Sequence, residues 1–124
     1  MAKISVDKGF FSSHAEVMAD IAKTGYWPTT YISEPSPELP LHQHGEDIIG
    51  YLLEGHSYVL GEGGERTELE PGDRLVLPKG STHAEGEVSG RMVYVVTIRN
   101  PIPFIEALAA VDSKGKPLDL AAVS

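Results

Sequence analysis

Three imidazoles stand at spacings that a metal ion can use. His42 and His44 flank Gln43, and His83 ends the run Pro78-Lys79-Gly80-Ser81-Thr82-His83. If residues 40 to 44 form a β-strand, side chains alternate between its faces, so His42 and His44 point one way and Gln43 the other. Two imidazoles one strand-step apart can share a cation, and a third from a distant strand turns a surface pair into an enclosed site. The chain has no cysteine, which leaves imidazole, carboxylate and water as ligands. Fe(II), Mn(II), Ni(II), Co(II) and Zn(II) all suit such a set.

The elements that must position these residues are short. A chain of 124 residues with 13 Gly and 9 Pro, clustered between β-branched and aromatic runs, reads as one all-β domain rich in turns. Residues 13 to 25 form the one clear amphipathic helix: Ser13-His14-Ala15-Glu16 has the capping-box form, Val17, Met18 and Ile21 share a face, and Gly25 ends it. Tyr26 to Ser33 suits a strand, with Pro28 arguing for a sheet edge, and residues 34 to 38 make a stiff connector. Strands are expected at 39–44, 48–54, 56–60, 65–69, 74–77, 82–87 and 91–99. Between them lie Gly61-Glu62-Gly63-Gly64 as a hairpin loop, Pro71-Gly72-Asp73 as a tight turn and Ser89-Gly90 as another. The stretch 103–111 has the composition of a short helix. Tyr51, Tyr58 and Tyr94 are expected as packing residues, and His14 and His56 as exposed ones.

Charge removes several classes of partner. With 18 acidic against 10 basic residues the formal charge is −8, which opposes binding to nucleic acid or anionic lipid. No apolar run approaches the roughly 20 residues that span a bilayer. The N-terminal residues lack the apolar core of a secretory signal, so the cytoplasm is the expected location.

The two histidine segments together resemble the motifs of the cupin superfamily. Gly72, Pro78, Gly80 and His83 match the second motif in full, and His42, His44 and Gly55 match the first. The resemblance covers about residues 39 to 99 and implies a small double-sheet jelly-roll barrel (a double-stranded β-helix) with a metal inside one mouth. Residues 1–38 then form an N-terminal helix and strand against that barrel, 39–99 the barrel core and 100–124 a C-terminal extension, within a single domain. The first motif departs at its acidic ligand, which falls on Ile48. Asp47, reached by a one-residue bulge, is the first choice to complete the three-histidine shell. Glu85, two residues past His83 and on the same face of a regular strand, is the second and a candidate catalytic base. A bare three-histidine site is the third, and Glu85 and Glu87 have an alternative reading as residues of a wet mouth or partners of Arg91 or Arg99.

The resemblance implies a divalent transition metal and a small oxygenated organic molecule as substrate, with dioxygenase, isomerase or lyase chemistry. Fold restricts reaction weakly in such a superfamily. A non-catalytic ligand-binding or sensor module, its metal structural or auxiliary, is therefore the second reading. Apolar edge runs such as Met92 to Val96, and the size of the chain, lead to the expectation of a homodimer.

Overall fold

From Ile48 to Leu53 every residue is apolar or glycine, the pattern of a strand covered on both faces. The computed structural model describes residues 3–99 and places this strand, β3 (Ile48–Glu54), at the centre of a five-stranded antiparallel sheet. Its companions are β1 (Ser5–Asp7), β2 (Trp27–Ser33), β6 (Arg74–Leu77) and β8 (Met92–Ile98), in the order β1-β6-β3-β8-β2. A second antiparallel sheet is built from β4 (Ser57–Gly61), β5 (Arg66–Leu69) and β7 (His83–Glu85), in the order β5-β4-β7. An all-β jelly-roll barrel was the expectation, and the structure is mostly antiparallel β. It is realised as two sheets, and the described residues show no continuous hydrogen-bonded barrel wall. The helix expected over 103–111 lies outside the described residues.

Each face of the larger sheet carries its own core. Toward the smaller sheet, Leu52, Leu75, Leu77 and Met92 pack against Val59, Leu69 and Val88. On the outer face, Ile49, Tyr51 and Val95 meet Phe11, Val17 and Ile21. The last two belong to α1 (His14–Thr24). Burying each such side chain is worth about 1.5–3 kcal/mol, so the helix is a structural cover and not an appendage. The expected caps hold it: the Ser13 hydroxyl accepts from the Glu16 N–H, and Gly25 ends it in the left-handed region at φ 74°, where glycine has no steric penalty.

A polar network fixes the helix to the sheet. Tyr51 is fully buried and its hydroxyl donates to Asp20 on α1. Arg74 donates to Asp20 and to Asp7, both at 2.8 Å, and its guanidinium lies over the Phe10 ring. A second buried anchor, Asp73, accepts from Gly9 N and Glu70 N and pairs with Lys8. It ties the expected Pro71-Gly72-Asp73 turn to the segment that carries β1.

Two boundaries differ from expectation in ways that shape the site. Residues 39–44 do not form a regular strand. They run antiparallel beside β7, with backbone bonds from Leu39 N to Glu85 O and from Gly80 N to His44 O, and one isolated bridge between His42 and His83. Pro35, Pro37 and Pro40 lack the N–H groups a continuous ladder needs. The strand expected at 82–87 is accordingly shortened to β7. Pro28 does lie in an edge strand, since among the described residues β2 pairs only with β8. No helix among the described residues is long and apolar enough to cross a membrane.

Candidate metal centre

Two main-chain bonds bring distant histidines face to face. His42 N donates to His83 O at 2.8 Å and His83 N donates back to His42 O at 3.0 Å, which makes the residues a directly opposed antiparallel pair. Side-chain alternation survives locally even without a full strand. Gln43 turns away and its amide donates to Thr82 Oγ1 at 3.1 Å, while His42 and His44 turn toward His83. Ring centroids lie 4.6 Å apart for His42 and His83 and 4.9 Å for His44 and His83.

Glu85 joins this group from β7, one strand-step beyond His83. One ligand atom from each of His42, His44, His83 and Glu85 lies within 4.8 Å of all the others. Its carboxylate reaches all three imidazoles, at 2.8 Å from His42 Nε2, 3.2 Å from His83 Nε2 and 3.6 Å from His44 Nε2. His83 is wholly buried behind the other two, whose side chains remain about one-third exposed at 31% and 33%.

Backbone carbonyls set the ring orientations. His42 Nδ1 lies 2.8 Å from Pro40 O, and His83 Nδ1 lies 3.1 Å from Ser81 O. A carbonyl can only accept, so Nδ1 carries the proton in each ring and Nε2 is the nitrogen that points at Glu85. This is the tautomer in which a metal-ligating histidine is usually held. The donor set fits a cation for a further reason. Glu85 Oε2 is buried and accepts no hydrogen bond, although His42 Nε2 is 2.8 Å away. With Nδ1 protonated, two lone pairs confront each other there, an arrangement that a cation or an additional proton between them relieves.

The electrostatics follow the same geometry. Burial favours the neutral form of Glu85, but its hydrogen bond with His83 and the charges of His83 and His42 prevail and hold the carboxyl below its ordinary range. Burial would lower His83, yet its bonds to Glu85 and to the Ser81 carbonyl outweigh that and leave it above the ordinary imidazole value. His44 moves the other way, lowered first by burial and then by the charge of His83.

Asp47, the first-choice carboxylate from sequence, is not brought into the group. Its side chain accepts from Lys79 N at 2.7 Å and from Arg99 Nη1 at 3.1 Å. These two donors, the backbone bond first, pull its pKa down. It thus fastens the Pro78–Gly80 turn to the end of β8, and Glu85 supplies the carboxylate beside the histidines. Glu87 is exposed, and neither Arg91 nor Arg99 pairs with Glu85. Tyr51 and Tyr58 are engaged structurally, with Asp20 and Glu38 respectively. Tyr94, expected only to pack, lines the cavity that opens from the histidines between the two sheets. That cavity measures about 580 Å³. The position of Tyr94 on the inner face of β8 could have been read from period two, but not the open space in front of it.

The comparisons agree with this architecture. The family model described as "Cupin domain" matches residues 30–98, more than half of the chain, and the chain belongs to the cupin family. No curated protein matches it. A DUF861 family protein from Thermotoga maritima is similar in fold, with a TM-score of 0.57 at 20% identity, covering 77% of this chain and 98% of its own. The DMSP lyase DddQ from Ruegeria pomeroyi gives a TM-score of 0.51 at 27% identity, over 59% of this chain and 37% of its own. A cupin-2 domain containing protein from Shewanella frigidimarina gives 0.50 at 19% identity, over 59% and 69%.

The two carboxylates are separable by calorimetric titration with Co(II) or Ni(II). Glu85→Gln is expected to weaken metal affinity at least about tenfold, and Asp47→Ala by less than about threefold, because among the described residues only Glu85 offers a carboxylate oxygen beside the imidazoles. The reverse ranking would return Asp47 to the ligand set. The same titration carries a pH signature. The raised His83 pKa means that its imidazolium pairs with Glu85 and adds stability at low pH, a contribution lost as pH rises through that pKa. A metal must displace this proton, so affinity should rise with pH across the His83 titration and level off above it. Affinity independent of pH from 6 to 9 would place His83 outside the coordinating group.

Proposed function

We propose that this cupin is a metal-dependent enzyme acting on a small oxygenated organic molecule, with its two sheets forming the halves of a jelly-roll and His42, His44, His83 and Glu85 as the metal ligands. The observation that carries the reading is the position of His42, His44 and Glu85, with His83 buried behind them, at the wall of a largely apolar cavity between the two sheets. A solvated histidine cluster would have no such chamber before it. A divalent transition ion held there polarises the oxygens of a bound substrate and, if it is iron, can activate dioxygen.

The chain's own groups then have distinct work. His83, wholly buried and oriented by the Ser81 carbonyl, anchors the site. His42 and His44 form its accessible side. Glu85 has two oxygens, so one can serve as a ligand while the other takes a proton from a substrate carbon or hydroxyl at short range. Tyr94 lies within the field of Glu85. Burial, and then that charge, drives its pKa upward, which keeps the phenol protonated as a donor toward a substrate oxygen.

The test is turnover by protein loaded separately with Fe(II), Mn(II), Ni(II), Co(II) or Zn(II), on diketones, catechols, flavonols and sugar acids, with dioxygen consumption followed in parallel. DMSP belongs in the set because DddQ is a DMSP lyase. Conversion of one class, abolished in His83→Ala, is the expected outcome. Stoichiometric metal uptake with tight ligand binding and no conversion in any set would replace the enzyme by the ligand-binding module.

We also propose that the chain forms a homodimer through the open side of β2. Among the described residues Trp27 and Tyr31 are each 55% exposed there and Ile32 46%, apolar area on a sheet edge that pairing would cover. Light scattering coupled to size exclusion should give twice the chain mass, and Tyr31→Lys with Ile32→Lys should return the monomer. A monomer mass for the unaltered chain would overturn this.

A further inference from the structure

We infer that the cavity takes a predominantly apolar molecule that presents two oxygen atoms sharing a single negative charge, such as a hydroxyketone or an enolised diketone, and rejects phosphate esters, sugar acids and dicarboxylates. The inference rests on the metal reading above and concerns the walls of the chamber. Ile48, Leu75, Leu77 and Val96 form one wall, and Val59 and Leu69 face them from the smaller sheet. Among the described residues the lining holds no lysine or arginine, and its carboxylates are Glu34 and Glu85. A second anionic group on a ligand would therefore lie against aliphatic side chains or approach Glu34, and no cation compensates its lost hydration.

Of the six hydroxyl-bearing side chains in the lining, three are committed to the protein and Tyr94 is the one placed within the field of Glu85. Ser33 Oγ donates to Glu34 O, Ser57 Oγ to Glu87 O, and Tyr58 to Glu38. A sugar entering this space would leave several hydroxyls without partners, the condition under which a site discriminates strongly against a polar ligand. Charge balance gives the complementary limit. Three neutral imidazoles and the Glu85 carboxylate around a divalent ion leave one positive charge. A singly ionised chelating head neutralises it, whereas a dianion leaves net negative charge in an apolar chamber.

The probes are tropolone, a singly anionic O,O-chelator with an apolar ring, and oxalate, a dianionic O,O-chelator without one. Each is titrated into Co(II)-loaded protein, followed by the visible absorption of the metal, and its affinity is divided by its affinity for aqueous Co(II). After that correction tropolone is expected to be favoured at least about tenfold. Gly50→Val places a side chain in the chamber, where the Cβ meets the Tyr94 ring at an unstrained 3.8 Å. It should weaken tropolone about tenfold and leave Co(II) uptake unchanged. Val96→Lys adds a cation to a half-buried wall position beside exposed β2, and should move the preference toward oxalate by about tenfold. Thermal unfolding of both variants establishes that they are folded before either is compared. Equal corrected affinities in the unaltered protein, or a preference that Val96→Lys leaves in place, would overturn the inference alone. Failure to take up Co(II) would overturn the metal reading, and this inference with it.

Discussion

The site depends on one reciprocal pair of backbone hydrogen bonds, between His42 and His83. Side chains of directly opposed antiparallel residues start from backbones only about 5.5 Å apart, close enough for two imidazoles to reach one point. The pairing also fixes what stands beside them. His44 is one strand-step along one segment, Glu85 one step along the other, and Gln43 and Thr82, on the opposite face, bond to each other. A slip of one residue would exchange the faces and send Gln43 and Thr82 inward. The Pro78–Gly80 turn, which Asp47 secures through Lys79 N, keeps the register by controlling where the chain re-enters β7.

Electrostatics explains why the four groups belong together. An isolated carboxylate in an apolar chamber carries a penalty of several kcal/mol, and Glu85 faces the cavity with no lysine or arginine in the lining among the described residues. Its countercharge comes from the imidazoles, His83 first, whose bond to Glu85 holds it above the ordinary imidazole value. Proton affinity and the acid side of stability are consequently one linked property of the site.

The five-stranded sheet supplies the rigidity this requires. It is apolar on both faces, with α1 and the Tyr51–Asp20–Arg74–Asp7 network on the outside and the second sheet on the inside. The inner core does not fill all of the space between the sheets, and the remaining volume is the chamber before the histidines. Gly50 contributes to it by carrying no side chain beside Tyr94. Gly55 serves the opposite purpose of close packing: at φ 94° its Cβ position is only 2.5 Å from Arg91 O, so the glycine of the first motif lets β3 turn against the start of β8.

Local chemistry made much of this legible in the residues themselves. The capping of α1 by Ser13 and Gly25, the edge position marked by Pro28, most strand positions and the turns at Gly61 and Pro71 follow from side-chain size, φ preference and missing N–H groups. The spacing from Gly72 to His83 likewise pointed to the family. Tertiary structure decided what spacing leaves open. Asp47 and Glu85 are equivalent as carboxylates near histidines, and they are separated by donors remote in sequence, since Lys79 N and Arg99 capture Asp47. Residues 39–44 have strand-like spacing, but the prolines before His42 interrupt the ladder, and bonds to β7 and to Gly80 hold the histidines in place. The chamber itself could not be read from period two, because alternation tells which residues face inward, and only the separation of the sheets determines whether they meet.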